Sequence, residues 1–213
     1  MILADYFGAE LDKIGSLYFT KENYDNISPI YGSTYPDFQG GVGTTLEVGS
    51  SQGVQVESSL GIHRFSKNIR DNVRTSIGAL KAGTDKKDVF LRHQQEFFKT
   101  AVQKGGKGYI VFGDQENKGA TNLFLDNLLR HKIEVRKLSK DFTQGDKHFK
   151  ADNAYAIPLA QAQYRLVNAA FEEHTEFVDS IFMDITAWST AHVYGFPFVK
   201  GVTGISVGEV VKE

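Results

Sequence analysis

The chain contains no cysteine. That excludes disulfides, thiolate-bound zinc and a cysteine nucleophile. It has only 4 prolines against 21 glycines. The glycines cluster at 40–53, 105–113 and 195–208, so they punctuate elements and do not form a low-complexity linker. No apolar run approaches the roughly 20 residues that cross a bilayer. No long basic run is present, the formal net charge is −2 and the pI is near 6.3. Electrostatic attraction for nucleic acid is therefore missing. The opening MILADYFGAELDKIG lacks the basic start and apolar block of a signal peptide. A leader carried upstream in a longer parent would direct it to the periplasm or outside the cell. Histidine is also scarce where it would matter: none precedes His63.

What is there is ordinary globular material. Of 213 residues, 41% are hydrophobic and 23% charged, enough for one large domain or two small ones with a real core. Leu3, Tyr6, Phe7, Leu11, Ile14 and Tyr18 recur at helical spacing and predict a helix over 3–19. Turn residues follow, from Asn23, Asp25 and Asn26 through Pro29, Gly32 and Pro36 to Gly40. GVGTTLEV at 41–48 reads as a glycine-rich strand and VQVES at 54–58 as a second. Helices are expected from Ser66 to about Gly83, and over 86–103 with Val89, Phe90, Phe97, Phe98, Ala101 and Val102 on one face.

After Gly106 the rhythm changes to strand–helix alternation. Strands are expected at 108–113, 133–138 and 154–158. Helices are expected at 118–131, facing inward through Leu125, Leu128 and Leu129, and over 161–174 through Tyr164, Val167, Ala170 and Phe171. That alternation predicts a layered α/β domain with parallel strands. The expected organisation is 1–82 as one domain part, 83–104 as a connecting helix and 105–213 as the layered domain.

LDKIGSLYFTKENYDN, then YGSTYPDFQGGVGTTLEVGSSQG, resembles the M14 zinc carboxypeptidase superfamily, over roughly residues 10–103. It is most similar to a bacterial branch of peptidases in which such a stretch ends the catalytic domain. The resemblance implies that residues 1–82 are the tail of a carboxypeptidase-type α/β domain. It implies that 105–213 form a flavodoxin-like, class I amidotransferase-like domain. It also implies that Glu47 is the catalytic glutamate. A zinc-bound water must lose a proton to attack a peptide carbonyl, and a nearby carboxylate can accept it and pass it to the leaving amine. The family also uses a tyrosine upstream of this glutamate to contact substrate. Tyr35 is the nearest candidate; Tyr24 and Tyr31 compete, and spacing does not decide among them. The family's zinc ligands, H-x-x-E and a later histidine, precede the glutamate, and this chain has no histidine there. No metal ligand is assigned to this chain, and zinc is expected in a longer parent that supplies the ligands upstream.

Other motifs carry less. His93-Gln-Gln-Glu96 is a literal H-x-x-E with His192 far downstream, but it follows Glu47 and sits inside an amphipathic helix. Gly49–Gly53 spells the G-x-S-x-G elbow, yet a strand and not a helix is expected after it. The turn after the 154–158 strand, PLAQAQYR, has no cysteine, so glutamine hydrolysis by the amidotransferase route is excluded. His63, His131, His148 and His174 show no partner pattern. Phe177, Phe182, Trp188, Tyr194, Phe196 and Phe198 read as core, with an interface to the peptidase domain as the sharper alternative.

Two functions follow. One is a zinc-dependent exopeptidase acting on peptide or peptidoglycan-like C-termini, with Glu47 as general base, the upstream peptidase domain as partner, and this piece inactive alone. The other is a non-catalytic module binding peptide, glycan or a partner subunit. A strand cut from its sheet would expose an edge and apolar surface, which predicts self-association as a homo-oligomer.

Overall fold

The computed structural model describes residues 2–19, 28–49, 52–59, 61–173 and 189–212. The chain divides into two compact units, Met1–Asp25 with Thr44–His93, and Asn26–Gly43 with Gln94–Glu213.

In the first unit α1 (Ile2–Asp12) packs on α3 (Phe65–Asp85). The expected helix over 3–19 stops early for a local reason. Gly15 adopts a left-handed φ of 62°, its amide bonds Asp12 O, and the Ser16 amide bonds Leu11 O. This is a Schellman-type stop, and glycine takes that conformation without a Cβ penalty. α1 buries Phe7 and Leu11; α3 answers with Thr75, Gly78 and Ala82. Gly78 is needed there because a Cβ would meet Tyr6 O at 2.9 Å. A two-stranded antiparallel hairpin, β1 (Gln55–Ser58) and β2 (Gly61–Arg64), leads into α3. The first of these is the strand expected at 54–58. α4 (Lys87–Gly105) begins in this unit and ends in the other.

The second unit is mixed α/β, as expected, but its sheet is antiparallel throughout. The strands are β3 (Tyr109–Phe112), β4 (Arg136–Leu138), β7 (Tyr155–Pro158), β8 (Phe198–Val202) and β9 (Val207–Val210), in spatial order β8-β3-β7-β4-β9. The expected parallel, flavodoxin-like and amidotransferase-like layering is therefore corrected. β3, α5 (Lys118–Arg130) and β4 make one crossover. β7, α6 (Tyr164–Ala170), α7 (Thr190–Tyr194) and β8 make another. In each, the two strands run the same way but leave a gap of one position. A strand of the other crossover fills that gap in the opposite direction. This is the split β-α-β arrangement. A hairpin, β5 (Phe142–Gln144) and β6 (Lys147–Phe149), is inserted before β7.

The pleat sends Ile110 and Phe112 to one face and Val111 to the other. On the first face, Phe124 and Leu128 of α5 and Leu166, Val167 and Ala170 of α6 pack with Phe171, Phe196 and Phe198. On the second, Val111, Ala156 and Val202 meet Phe149 of the hairpin. Three layers result: helices, sheet, hairpin. Asn117 caps α5 by accepting the Ala120 amide at 3.1 Å. β8 carries a bulge between its pairings with Tyr109 and Val111, and Gly201 supplies φ 69° there.

The rings of Phe112 and Phe124 meet edge-on at 5.6 Å, both fully buried. Phe124→Ala should lower unfolding stability by about 3–5 kcal/mol in urea titration.

Candidate functional site

Glu47 lies on residues 42–49, which form no strand. The strand expected over 41–48 is thus corrected. Val42 and Leu46 of this segment stay about half exposed, and it pairs with no strand among the described residues. Extended backbone holds as a strand only where its amides find a ladder. Glu47 itself is exposed. Two residues on, Gly49 O accepts the Asn68 side-chain amide of α3 at 2.8 Å, which ties the end of the segment to that helix.

Tyr35 belongs to the other unit. It opens α2 (Tyr35–Phe38), with Pro36 in the first turn. Its hydroxyl lies 3.0 Å from His131 Nδ1, and the two rings are 5.4 Å apart. His131 caps the end of α5, and burial lowers its pKa. With Nδ1 unprotonated, the neutral ring can accept a hydrogen bond from the tyrosine hydroxyl. Around it, Phe38 packs on the aromatic core and Gln39 accepts from Gln163 at 3.1 Å. The Gly43 amide donates to Asp37 at 2.6 Å. Tyr35 is thus part of a clasp that holds the 28–43 segment to its unit. Tyr31 is half-buried in the preceding turn; Tyr24 lies outside the described residues.

His93 and Glu96 are both exposed on α4, and Glu96 pairs with Lys99 at 3.3 Å. His192 lies 3.9 Å from Glu173 and against the Phe198 ring. Among the described residues no group of three or more His, Asp or Glu side chains is gathered for a metal. Among them also, no helix is long and apolar enough to cross a membrane. Ser50 and Ser51 of the G-x-S-x-G stretch lie outside the described residues, and β1 follows it as expected. After β7, the turn holds Gln161, whose side chain bonds the backbone of Glu134 and Pro158. His63 sits on β2 opposite Val56, and His148 bonds Thr143 at 3.1 Å. His174, Phe177, Phe182 and Trp188 lie outside the described residues; Phe196 and Phe198 are core.

No family model, curated protein or solved structure matches this chain.

Among the described residues, Glu10 gathers three cations where α1 meets α3, a cluster that sequence reasoning missed. Glu10 is 2% exposed, yet Lys13 and Lys81 each reach its Oε1 at 2.5 Å and Arg74 stands 3.6 Å from Oε2. The hydrogen bond from Lys13, then that from Lys81, lowers the Glu10 carboxyl from 4.5 to about 2. Glu10 in turn raises Lys81. Asp71, also buried, receives Ser16 Oγ at 2.9 Å and Lys67 at 2.5 Å. The Glu10–Lys13 spacing was visible in sequence; the partners across the helix pair were not. This arrangement latches two helices, and no nucleophile is activated by it: Ser16 donates to a carboxylate already held by an ammonium.

Because the folded pKa of Glu10 is depressed, its stabilisation is present above pH 4.5 and is lost as pH falls through about 2. Glu10→Gln should flatten that acid dependence in hydrogen exchange of α1. Tyr35→Phe should cost about 1 kcal/mol in urea unfolding, the worth of one hydrogen bond.

Proposed function

We propose that the chain is the C-terminal part of a zinc carboxypeptidase-type protein, with Glu47 as general base and peptide C-termini as substrate. The observation that carries this reading is the presentation of Glu47: an exposed carboxylate on a segment tethered to α3 through Gly49 and Asn68. A general base must reach a metal-bound water, so it must be solvent-accessible and have a fixed approach. Zinc then belongs to ligands supplied by polypeptide other than these residues, and this chain alone is inactive. Leu17, Phe19, Val54 and Ile62 in the same unit are 97%, 87%, 85% and 58% exposed, which supports burial against further polypeptide. When bound, zinc would polarise the scissile carbonyl and acidify the attacking water. Glu47 would take the proton at its carboxylate and return it to the leaving amine.

A second reading, a module that binds peptide, glycan or a partner subunit without turning it over, is favoured by one feature. The 42–49 segment is not part of a sheet, so Glu47 lacks the rigid strand that usually aims a catalytic carboxylate.

Glu47→Gln in the whole zinc-loaded protein separates the two. The catalytic reading expects kcat to fall about 10²–10⁴-fold with zinc content unchanged. Turnover equal to that of the unsubstituted protein would leave the binding reading standing.

A further inference from the structure

α3 is built with two unlike faces. Asp71, Thr75, Gly78 and Ala82 are buried. The opposite side carries two rows at four-residue spacing: Phe65, Ile69, Val73 and Ile77 in one, Asn68, Asn72, Ser76 and Leu80 in the other. An open groove runs between them. Phe65, Ile69, Val73 and Leu80 are 57%, 50%, 52% and 73% exposed. Four large apolar side chains exposed on one side of a single helix form a patch that a soluble protein rarely leaves bare. A groove between two such rows is the surface into which an i±4 ridge of another helix packs.

Charge narrows the occupant. Around the helix, the apolar row is followed on its far side by Arg70, Arg74 and Lys81, while amides line the other side. Arg74 and Lys81 reach Glu10 but keep 39% and 50% of their side chains exposed. Neither acid of α3 offsets them on this side. Asp71 is buried and bonded by Ser16 and Lys67, and Asp85 bonds Tyr6. A second copy of α3 laid antiparallel across the groove would set cationic flank against cationic flank, which like-charge repulsion disfavours. The geometry points to an amphipathic helix with an apolar ridge and an acidic flank as the occupant of the α3 groove. Its apolar ridge fills the space between the two rows, and its carboxylates meet Arg70 and the outer edges of Arg74 and Lys81.

This docking does not depend on Glu47 acting as a base, and Glu47→Gln should leave it unchanged whatever happens to turnover. The probe is a labelled synthetic helix of about five turns, with leucines at i, i+4 and glutamates along one flank. It is titrated into the intact chain and read by fluorescence anisotropy, beside a twin carrying lysine for glutamate. The expected result is saturable micromolar binding of the acidic helix and about tenfold weaker binding of the lysine twin. Ile69→Asp should weaken the acidic helix about tenfold. Arg70→Glu should weaken the acidic helix and strengthen the lysine twin. Equal affinity for the two helices, or no saturation up to about 1 mM, overturns the proposal. So does a dimer in sedimentation that Ile69→Asp dissolves, since a second copy would then hold the groove. If Ile69→Asp loses its helical circular dichroism, the peptide charge exchange and Arg70→Glu still decide.

Discussion

The contact of Phe112, Phe124, Phe171 and Phe196 is the constraint on which the second unit depends. Phe112 comes from the interior strand β3, Phe124 from α5, and Phe171 and Phe196 from the path between β7 and β8. Each crossover therefore contributes rings to one point, and neither can leave without opening the other's core. Interleaving gives the same result in the backbone, because each crossover encloses a strand of its neighbour. Ring contacts at 4.9–5.9 Å, edge-on for Phe112–Phe124 and Phe124–Phe171 and tilted for the others, add geometric preference to burial. The 28–43 segment is fastened to this body by Tyr35 on His131 and Phe38 on the core.

The first unit is held differently. Its helices share a narrow apolar contact at Phe7, Leu11, Gly78 and Ala82, supplemented by two buried carboxylates with their cations. In these pairs only the carboxylates are buried; the cations stay partly exposed, and desolvating the carboxylates offsets part of the attraction. The unit spends little apolar surface on its own core and leaves much of it outside, on α3 and at Leu17, Phe19, Val54 and Ile62. Glu47 lies in this unit. A site on such a scaffold gains rigidity when other polypeptide covers it, which links the proposed activity to what docks on α3.

Where periodicity was strong, the sequence was readable. α3 and α5 begin and end within about two residues of their expected bounds, and Leu125, Leu128 and Val167 are buried as their spacing implied. Sheet direction was not readable. Strand–helix–strand alternation is the same whether the returning strand sits beside its partner or one position away, and only the second lets an antiparallel strand between. The hairpin strands β5 and β6 are only 3 residues each, and β8 (Phe198–Val202) carries Lys200 and Gly201 in place of clean alternation. At 41–48 the β-branched composition was genuine, but composition cannot supply the neighbouring strand a ladder requires. Tyr35 was legible as a candidate, while its partner His131 lies far away in sequence. The Glu10 cluster draws on α1 and α3 together and had no local signature beyond the Glu10–Lys13 spacing.

The central claim is that the second unit completes its own core while the first needs a cover. Native-state hydrogen exchange of this chain tests it most directly. The account predicts that β3 and β7 amides exchange only with global unfolding, while α3 amides exchange far faster and slow down when an acidic amphipathic helix is bound. Amides of α3 as slow as those of β7 in the uncovered chain would contradict it.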